Sequence, residues 1–218
     1  MEKNLVVTTE QPIYIRVIAK IISYIFHPLF IPTYIFLWLA LRFPFEFAGI
    51  SPTGLMLRKI SVFWITAFFP AFSVFLLWRL KFIDSIFLKT QKERIIPYII
   101  VMIFYWWMWY LSRNFSDQPG VLKFFFLGIF YATIPSLIIN NFFKISMHAI
   151  GIGAALTFIL LSCFYYQLYL GADIAIITLI TGIVCTARFI VSDHTNLDVY
   201  SGLFAGALCQ LIAYWVAM

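Results

Sequence analysis

Long apolar blocks alternate with short polar stretches over most of the chain. Each block approaches the roughly 20 residues that a helix needs to cross the hydrocarbon core of a bilayer, and none alternates like a strand of a membrane β-barrel. Backbone groups in lipid must be hydrogen-bonded within their own segment. The pattern therefore predicts an all-α, polytopic transmembrane helical bundle of six or seven spans: about 18–42, 59–82, 96–112, 121–141, 148–170, 172–191 and 198–217.

The first apolar block contains the stretch HPLFIP at 27–32. Proline has no backbone N–H and clashes with the preceding helical turn, so Pro28 and Pro32 should kink or break this block. We expect either one bent helix or an interfacial piece followed by a span.

The composition supports a membrane location. The chain is 63% hydrophobic and 11% charged, with a mean hydropathy of +0.96, whereas a soluble domain is nearer half apolar and a quarter charged. We expect a single membrane-embedded domain, 1–218, integral to a bacterial cytoplasmic membrane. The three cysteines lie inside apolar blocks without metal-ligand or redox spacing, which predicts core positions. The chain offers no basic, aromatic-interleaved soluble region for nucleic acid.

Three polar stretches, at 78–97, 142–151 and 187–202, interrupt the apolar blocks. Two predicted spans separate the first stretch from the second, and two more separate the second from the third, so all three emerge on one membrane face. For the first stretch, which is rich in Lys and Arg, the simplest interpretation is a loop that only sets topology.

Arg188, His194 and Asp198 crowd into the third stretch, ARFIVSDHTNLDVYSG. An Asp near an imidazole can fix its tautomer and stabilise its cationic form, and an Arg presents a planar fork of donors suited to phosphate. Asp198 can equally serve as a helix cap. The spacing of the three residues indicates a site that handles phosphate.

The second stretch contributes Ser146 and His148 at the start of a predicted helix, where the helix N-terminus favours anions. With Lys89, Arg94 and Arg188 around it, a phosphate would have its charge largely matched. Two histidines can then divide the chemistry, one attacking phosphorus and the other protonating the leaving oxygen. This chemistry needs no metal or other cofactor, and the few carboxylates make a zinc or di-metal site the weaker alternative.

The second and third stretches resemble the type 2 phosphatidic acid phosphatase superfamily. The family motifs are K-x6-R-P, P-S-G-H and S-R-x5-H-x3-D. The sequence ARFIVSDHTNLD is similar to the third motif, with Ala187 in place of its Ser. The sequence ISMH keeps the Ser and His of the second motif, with Ile145 and Met147 in place of its Pro and Gly.

The first motif is matched less closely by KTQKERIIP. Lys89 and Pro97 match its Lys and Pro, but Ile96 stands at its Arg position, which leaves Arg94 or Lys92 as the substitute. The resemblance covers about 89–206. The blocks within 18–82 lie outside it and form an N-terminal addition.

The resemblance implies a metal-independent phosphatase at the bilayer surface that hydrolyses a phosphate monoester or diphosphate of a lipid. His194 would be the nucleophile that forms a phosphohistidine, Asp198 would orient it, and His148 would be the general acid. The implied partners are the bilayer and the substrate, a phospholipid phosphate or an isoprenoid diphosphate. The phosphoryl oxygens would be held by Lys89, Arg94, Ser146 and Arg188.

Two other function classes remain open. One is a non-enzymatic transporter or lipid-binding membrane protein, and the other is a phosphotransferase that passes the phosphoryl group to an acceptor other than water. Transport normally places ionisable residues near mid-membrane, whereas the ionisable residues here cluster at helix ends, which favours the phosphatase. His27, inside the first block, is interpreted as a structural residue.

Glycines predict how the helices that carry the site approach each other. Gly202 and Gly206 stand four residues apart on the last predicted span, and Gly151 and Gly153 open the fifth. Small residues let helix backbones come close together in membranes. We therefore expect these glycines to bring the motif-bearing helix ends side by side.

The distribution of Lys and Arg does not assign the site to a membrane face. Seven spans put ten of the fifteen on the site face and five on the other. Five on each face remain when five cations near the expected phosphate are set aside, so the positive-inside rule favours neither face; the five are Lys89, Lys92, Arg94, Lys144 and Arg188.

Overall fold

The computed structural model describes residues 11–88, 90–191 and 194–217, and within them it consists of helices without strands. Six of the helices are long and apolar enough to cross a bilayer, which confirms the predicted all-α polytopic bundle and an integral membrane protein. The helices are α1 (Ile13–Ile25), α2 (Ile31–Arg42), α3 (Pro52–Arg79), α4 (Gln91–Asn114), α5 (Gly120–Ile139), α6 (Met147–Tyr166), α7 (Gly171–Val191) and α8 (Asn196–Ala217).

The first apolar block is broken, as its prolines predict. Helix α1 ends at Ile25, and α2 begins at Ile31 with Pro32 in its first turn, where the missing N–H of proline has no intrahelical partner to lose. In the break, the N–H of Leu29 donates to Nδ1 of His27 at 3.4 Å.

The two halves of this block run along α7 in opposite directions. Tyr14, near the start of α1, lines one cavity with Leu179 in the middle of α7. Ser23 of α1 contacts Arg188 near the end of α7. Trp38 of α2 donates from Nε1 to Asp173 in the first turn of α7 at 2.8 Å, and Nε of Arg42 lies 3.2 Å from the same carboxylate. Helix α1 therefore runs parallel to α7 and α2 runs antiparallel to it, so the two helices form a hairpin that turns at residues 26–30.

The closest helix packing joins α6 and α8, and it depends on glycine. A Cβ on Gly202 would lie 2.8 Å from the carbonyl oxygen of Ser146, and a Cβ on Gly206 would overlap the carbonyl oxygen of Ile150. On α6, a Cβ on Gly153 would meet the backbone of α8 in the same way. This confirms the predicted role of Gly153, Gly202 and Gly206 and places the first turns of both helices side by side. The prediction was wrong for Gly151, where a Cβ would meet Pro28 in the chain break and not α8.

The start of α4 is fixed by a capping box and by bonds to the end of α5. The hydroxyl of Thr90 accepts the N–H of Glu93 at 3.3 Å, and the carboxylate of Glu93 accepts the N–H of Thr90 at 3.0 Å. Gln91 and Asn140 exchange side-chain-to-backbone hydrogen bonds of 2.8 and 2.9 Å. These contacts determine which side chains of α4 face the bundle interior.

Candidate active site

His194 and Asp198 meet at the start of α8. The hydroxyl of Thr195 accepts the N–H of Asp198 at 3.3 Å, while Oδ2 of Asp198 accepts the N–H of Thr195 at 2.7 Å. The same Oδ2 lies 3.6 Å from Nδ1 of His194, which is an ion-pair distance rather than a hydrogen bond. Asp198 therefore takes part in the helix cap and also faces the imidazole. The sequence allowed either role, helix cap or orienting carboxylate, and the structure shows both contacts.

The imidazole of His194 is buried among positive charges. Its side chain is 2% exposed. The pKa of His194 is lowered to about 4, first by burial and then by the positive charges of Arg188 and Arg94, while Asp198 acts in the opposite direction. The ring is therefore neutral at pH 7, the form in which an imidazole nitrogen can act as a nucleophile. With Nδ1 facing the carboxylate, Nε2 is the nitrogen directed away from it.

Arg94 reaches the site from α4. It is 8% exposed. Its Nε donates to the carbonyl oxygen of Leu88 at 3.0 Å, and its Nη1 donates to the carbonyl oxygen of Ile145 at 3.3 Å. These bonds hold the guanidinium beside the residue that precedes Ser146. The first and second polar stretches are thus in direct contact, as their placement on one membrane face predicts.

The neighbours of Arg94 on α4 point elsewhere. Lys92 is exposed, and Ile96 is 42% exposed on the lipid-facing side. Of the two cations that the sequence offered as substitutes for the motif arginine, only Arg94 faces inward. Lys89 lies outside the described residues.

Ser146 makes two hydrogen bonds with the backbone next to the site. Its hydroxyl caps α6 by accepting the N–H of Ala149 at 3.4 Å, and its own N–H donates to the carbonyl oxygen of Asp198 at 3.0 Å. The side chain is fully buried. The hydroxyl hydrogen is therefore the donor through which Ser146 would contact an anion.

His148 and Arg188 both bind Ser23, a residue of α1. Nε2 of His148 lies 3.0 Å from the carbonyl oxygen of Ser23, and Nη1 of Arg188 donates to the Ser23 hydroxyl at 3.2 Å. A carbonyl can only accept, so a hydrogen resides on Nε2 of His148, and Nδ1 is the ring nitrogen at which a second proton can bind and leave. Ser23 itself donates to the carbonyl oxygen of Ala19 at 2.9 Å.

Three residues next to the site were missed by the sequence reasoning. Ser23 was not considered, and His27, interpreted as structural, has its ring centroid 5.4 Å from that of His148 in a perpendicular arrangement. The hydroxyl of Tyr98 is buried beside Arg94, one turn further along α4. The one available signal was HPLFIP, because a helix break next to a histidine is unusual in an apolar span.

The structure brings together six of the seven predicted site residues: Arg94, Ser146, His148, Arg188, His194 and Asp198. Within the described residues, no three His, Cys, Asp or Glu side chains are grouped so that they could hold a metal ion. No family model, no curated protein and no solved structure matches this chain.

Proposed function

We propose that this chain is a membrane lipid phosphatase of the type 2 phosphatidic acid phosphatase kind. In this proposal it hydrolyses a phosphate monoester or diphosphate of a lipid through a phosphohistidine. One observation carries the proposal: a buried, neutral His194 has one ring nitrogen facing the Asp198 carboxylate and lies within the electrostatic reach of two arginines. A phosphohistidine enzyme needs such a pairing of nucleophile, orienting carboxylate and guanidinium groups.

In the first step, the lone pair on Nε2 of His194 forms a bond to phosphorus, and the bond from phosphorus to the leaving oxygen breaks. The imidazole becomes cationic, and Asp198 stabilises this charge across the 3.6 Å separation. The leaving oxygen takes its proton from His148, which carries a proton on each ring nitrogen at the start of this step. Because Nε2 of His148 is bound to the Ser23 carbonyl, Nδ1 is the nitrogen that exchanges protons with substrate.

In the second step, water attacks the phosphorus of the phosphohistidine and the N–P bond breaks. His148, which is neutral after the first step, accepts the proton of the attacking water, and inorganic phosphate leaves. Arg94 and Arg188 stabilise the charge on the phosphoryl oxygens in both transition states. Each group then returns to its starting protonation state.

The location of the site in the bundle supports a lipid substrate. His194 lies between the end of α7 and the start of α8, and His148 lies in the first turn of α6. These are the ends of helices long enough to cross a bilayer. A phosphate bound there would be level with lipid headgroups, while an attached hydrocarbon chain stays among the helices or in the surrounding lipid.

The test measures inorganic phosphate released from phosphatidate, prenyl phosphates and prenyl diphosphates by purified protein in phosphatidylcholine vesicles. We expect release by the wild type, loss in His194→Ala and trapping of an acid-labile phosphoprotein in His148→Ala. Activity that persists in a folded His194→Ala variant contradicts the nucleophile assignment. Failure to release phosphate from any of these lipids, with or without added acceptor alcohols, contradicts the proposed function.

A further inference from the structure

An apolar groove lies beside the site, between the broken first span and helices α6 and α7. Its volume is about 460 Å³, which falls within the roughly 300–1,000 Å³ of ligand pockets. One end is formed by Ile25 and Phe26, and the other by Trp38 and Asp173. The walls between these ends are formed mainly by Ile31, Ile35, Ile152, Ala155, Ile159 and Ile177.

The groove begins next to the residues that would hold phosphate. Ile25 and Phe26 follow Ser23 by two and three positions, and Ser23 binds both His148 and Arg188. The chain break at 26–30 interrupts the wall at this point. A molecule with its phosphate at Arg188 can therefore extend into the groove without crossing a helix.

The far end of the groove offers no unused charge. The carboxylate of Asp173 is bound by Nε1 of Trp38 at 2.8 Å and by Nε of Arg42 at 3.2 Å. Because the walls are apolar and this carboxylate is paired, the groove suits hydrocarbon and not a second headgroup. In a membrane-spanning bundle, the hydrocarbon available to it is a lipid chain.

A second cavity lies on the other side of the helix break, against α4, α5 and α6. It includes Pro28, Tyr98 and Ile129, but its volume is only about 60 Å³. This is far below the roughly 300–1,000 Å³ of ligand pockets and leaves no room for a second chain. Of the two cavities that flank the break, only the groove has room for a chain.

We propose that the groove binds one hydrocarbon chain of the lipid whose phosphate lies at Arg188 and His194. The position of the phosphate rests on the proposed function. The position of the hydrocarbon chain rests on the size and apolar walls of the groove. The substrate class is then a lipid phosphate of which one long chain is held by the protein, between α2 and α7.

The test uses the full chain in phosphatidylcholine vesicles and hexadecylphosphonate with a diazirine at the end of its chain. The phosphonate is not hydrolysed, so labelling does not depend on catalysis. After irradiation, labelled residues are identified by mass spectrometry. We expect label near Trp38 and Ile176, and much weaker label from the matching alcohol, which lacks the phosphonate.

Two matched variants place a tryptophan either in the groove or away from it. Ile176 lines the groove and is 59% exposed, whereas Leu211 on α8 is 48% exposed and lines no part of it. In Ile176→Trp, the larger side chain should occupy part of the groove. Labelling of the groove should fall by about tenfold or more, since tenfold is the low end of the range for a misfit in an apolar pocket. Leu211→Trp should leave the labelling unchanged. Because both positions are exposed to lipid, neither variant disturbs the core.

Each outcome decides between the proposals. Label spread over lipid-facing surfaces, label in the outer groove between Ile18 and Leu179, or equal label from the alcohol would overturn the chain site. Phosphate release together with such misplaced label refutes the groove and leaves the phosphatase proposal standing. Groove label without any phosphate release supports the chain site and refutes the hydrolysis.

Discussion

Ser146 donates its backbone N–H to the backbone carbonyl of Asp198 across 3.0 Å, which joins the first turns of α6 and α8 directly. The side chain of the same Asp198 faces His194. His148, two residues after Ser146, is therefore held at a fixed position relative to His194. The distance between the two proposed catalytic histidines depends on how closely these helices pack.

Widening the contact between α6 and α8 should damage both stability and activity. In Gly206→Ala, the new methyl group meets the carbonyl of Ile150 and lies 2.9 Å from the backbone nitrogen of Ala154, and backbone atoms cannot rotate away. We expect a loss of about 1–3 kcal/mol in the free energy of unfolding, measured by denaturation in mixed micelles, and a lower kcat.

The matched control is Gly182→Ala on α7, where a Cβ has no neighbouring atom within 4 Å. It should be neutral or gain up to about 1 kcal/mol from the better helix propensity of alanine. Equal effects of the two substitutions would show that the close approach at Gly206 does not set the helix spacing.

Arg94 and Lys92 should differ sharply in their effect on catalysis. Arg94 faces the site, whereas Lys92 is exposed. Replacing Arg94 with Gln removes a donor that stabilises phosphoryl charge and should lower kcat/KM by roughly 10²–10³-fold, while Lys92→Gln should retain wild-type kinetics. The measurement is steady-state phosphate release, and a larger loss in the Lys92 variant would reverse the assignment.

Ser23 should affect catalysis although it lies outside the three motifs. Ser23→Ala removes the hydroxyl that binds Nη1 of Arg188 at 3.2 Å, and the loss of a hydrogen bond to a charged group should lower kcat/KM roughly tenfold. Ser23→Thr restores the hydroxyl and should recover most of the activity. Ser73→Ala, which removes an exposed hydroxyl bonded only within α3, should have no effect.

Activity should persist in acid further than an ordinary histidine nucleophile allows. The pKa of His194 is lowered to about 4, mainly by burial, so the neutral ring is retained well below pH 6.5. We expect the acid limb of kcat/KM, which reports the free enzyme, to fall near pH 4. A limb near pH 6.5 would show instead that the ring titrates as if exposed.

The lowered pKa of His194 should also make the stability of the fold depend on pH. Between pH 6.5 and 4 the unfolded chain binds a proton at His194 that the folded chain does not bind, so the free energy of unfolding should fall as the pH falls through this window. His194→Gln removes this titration. Its stability should therefore depend less steeply on pH over the same range, and an identical pH dependence of both proteins would contradict the buried, neutral ring.

Six of the seven apolar blocks predicted spans well because helix length in a bilayer is set by physical thickness, whereas the first block, 18–42, forms two shorter helices. The order of the polar stretches also predicted their convergence, since each pair of spans returns the chain to one face. The break at Pro28 and Pro32 and the close packing at Gly206 followed from the backbone properties of proline and glycine.

The sequence could not show what α1 does at the site. The partner of His148 is the backbone carbonyl of Ser23, and every residue type has a carbonyl, so such a contact leaves no pattern. The inward orientation of Arg94 depends on the rotation of α4, which the contacts of Thr90 and Asn140 fix only in three dimensions. Choosing between Arg94 and Lys92 therefore required the fold.

The break between α1 and α2 divides the first apolar block into two helical arms with different attachments. The two arms are joined across the turn by the hydroxyl of Tyr34, which donates to the carbonyl oxygen of Ile25 at 2.9 Å. Helix α2 is bound to Asp173 through Trp38 and Arg42, while α1 contacts the site through Ser23. Moving Ser23 aside to admit a headgroup thus requires tilting a helix of 13 residues and breaking the bond between Tyr34 and Ile25, while α2 can keep the wall of the groove in place.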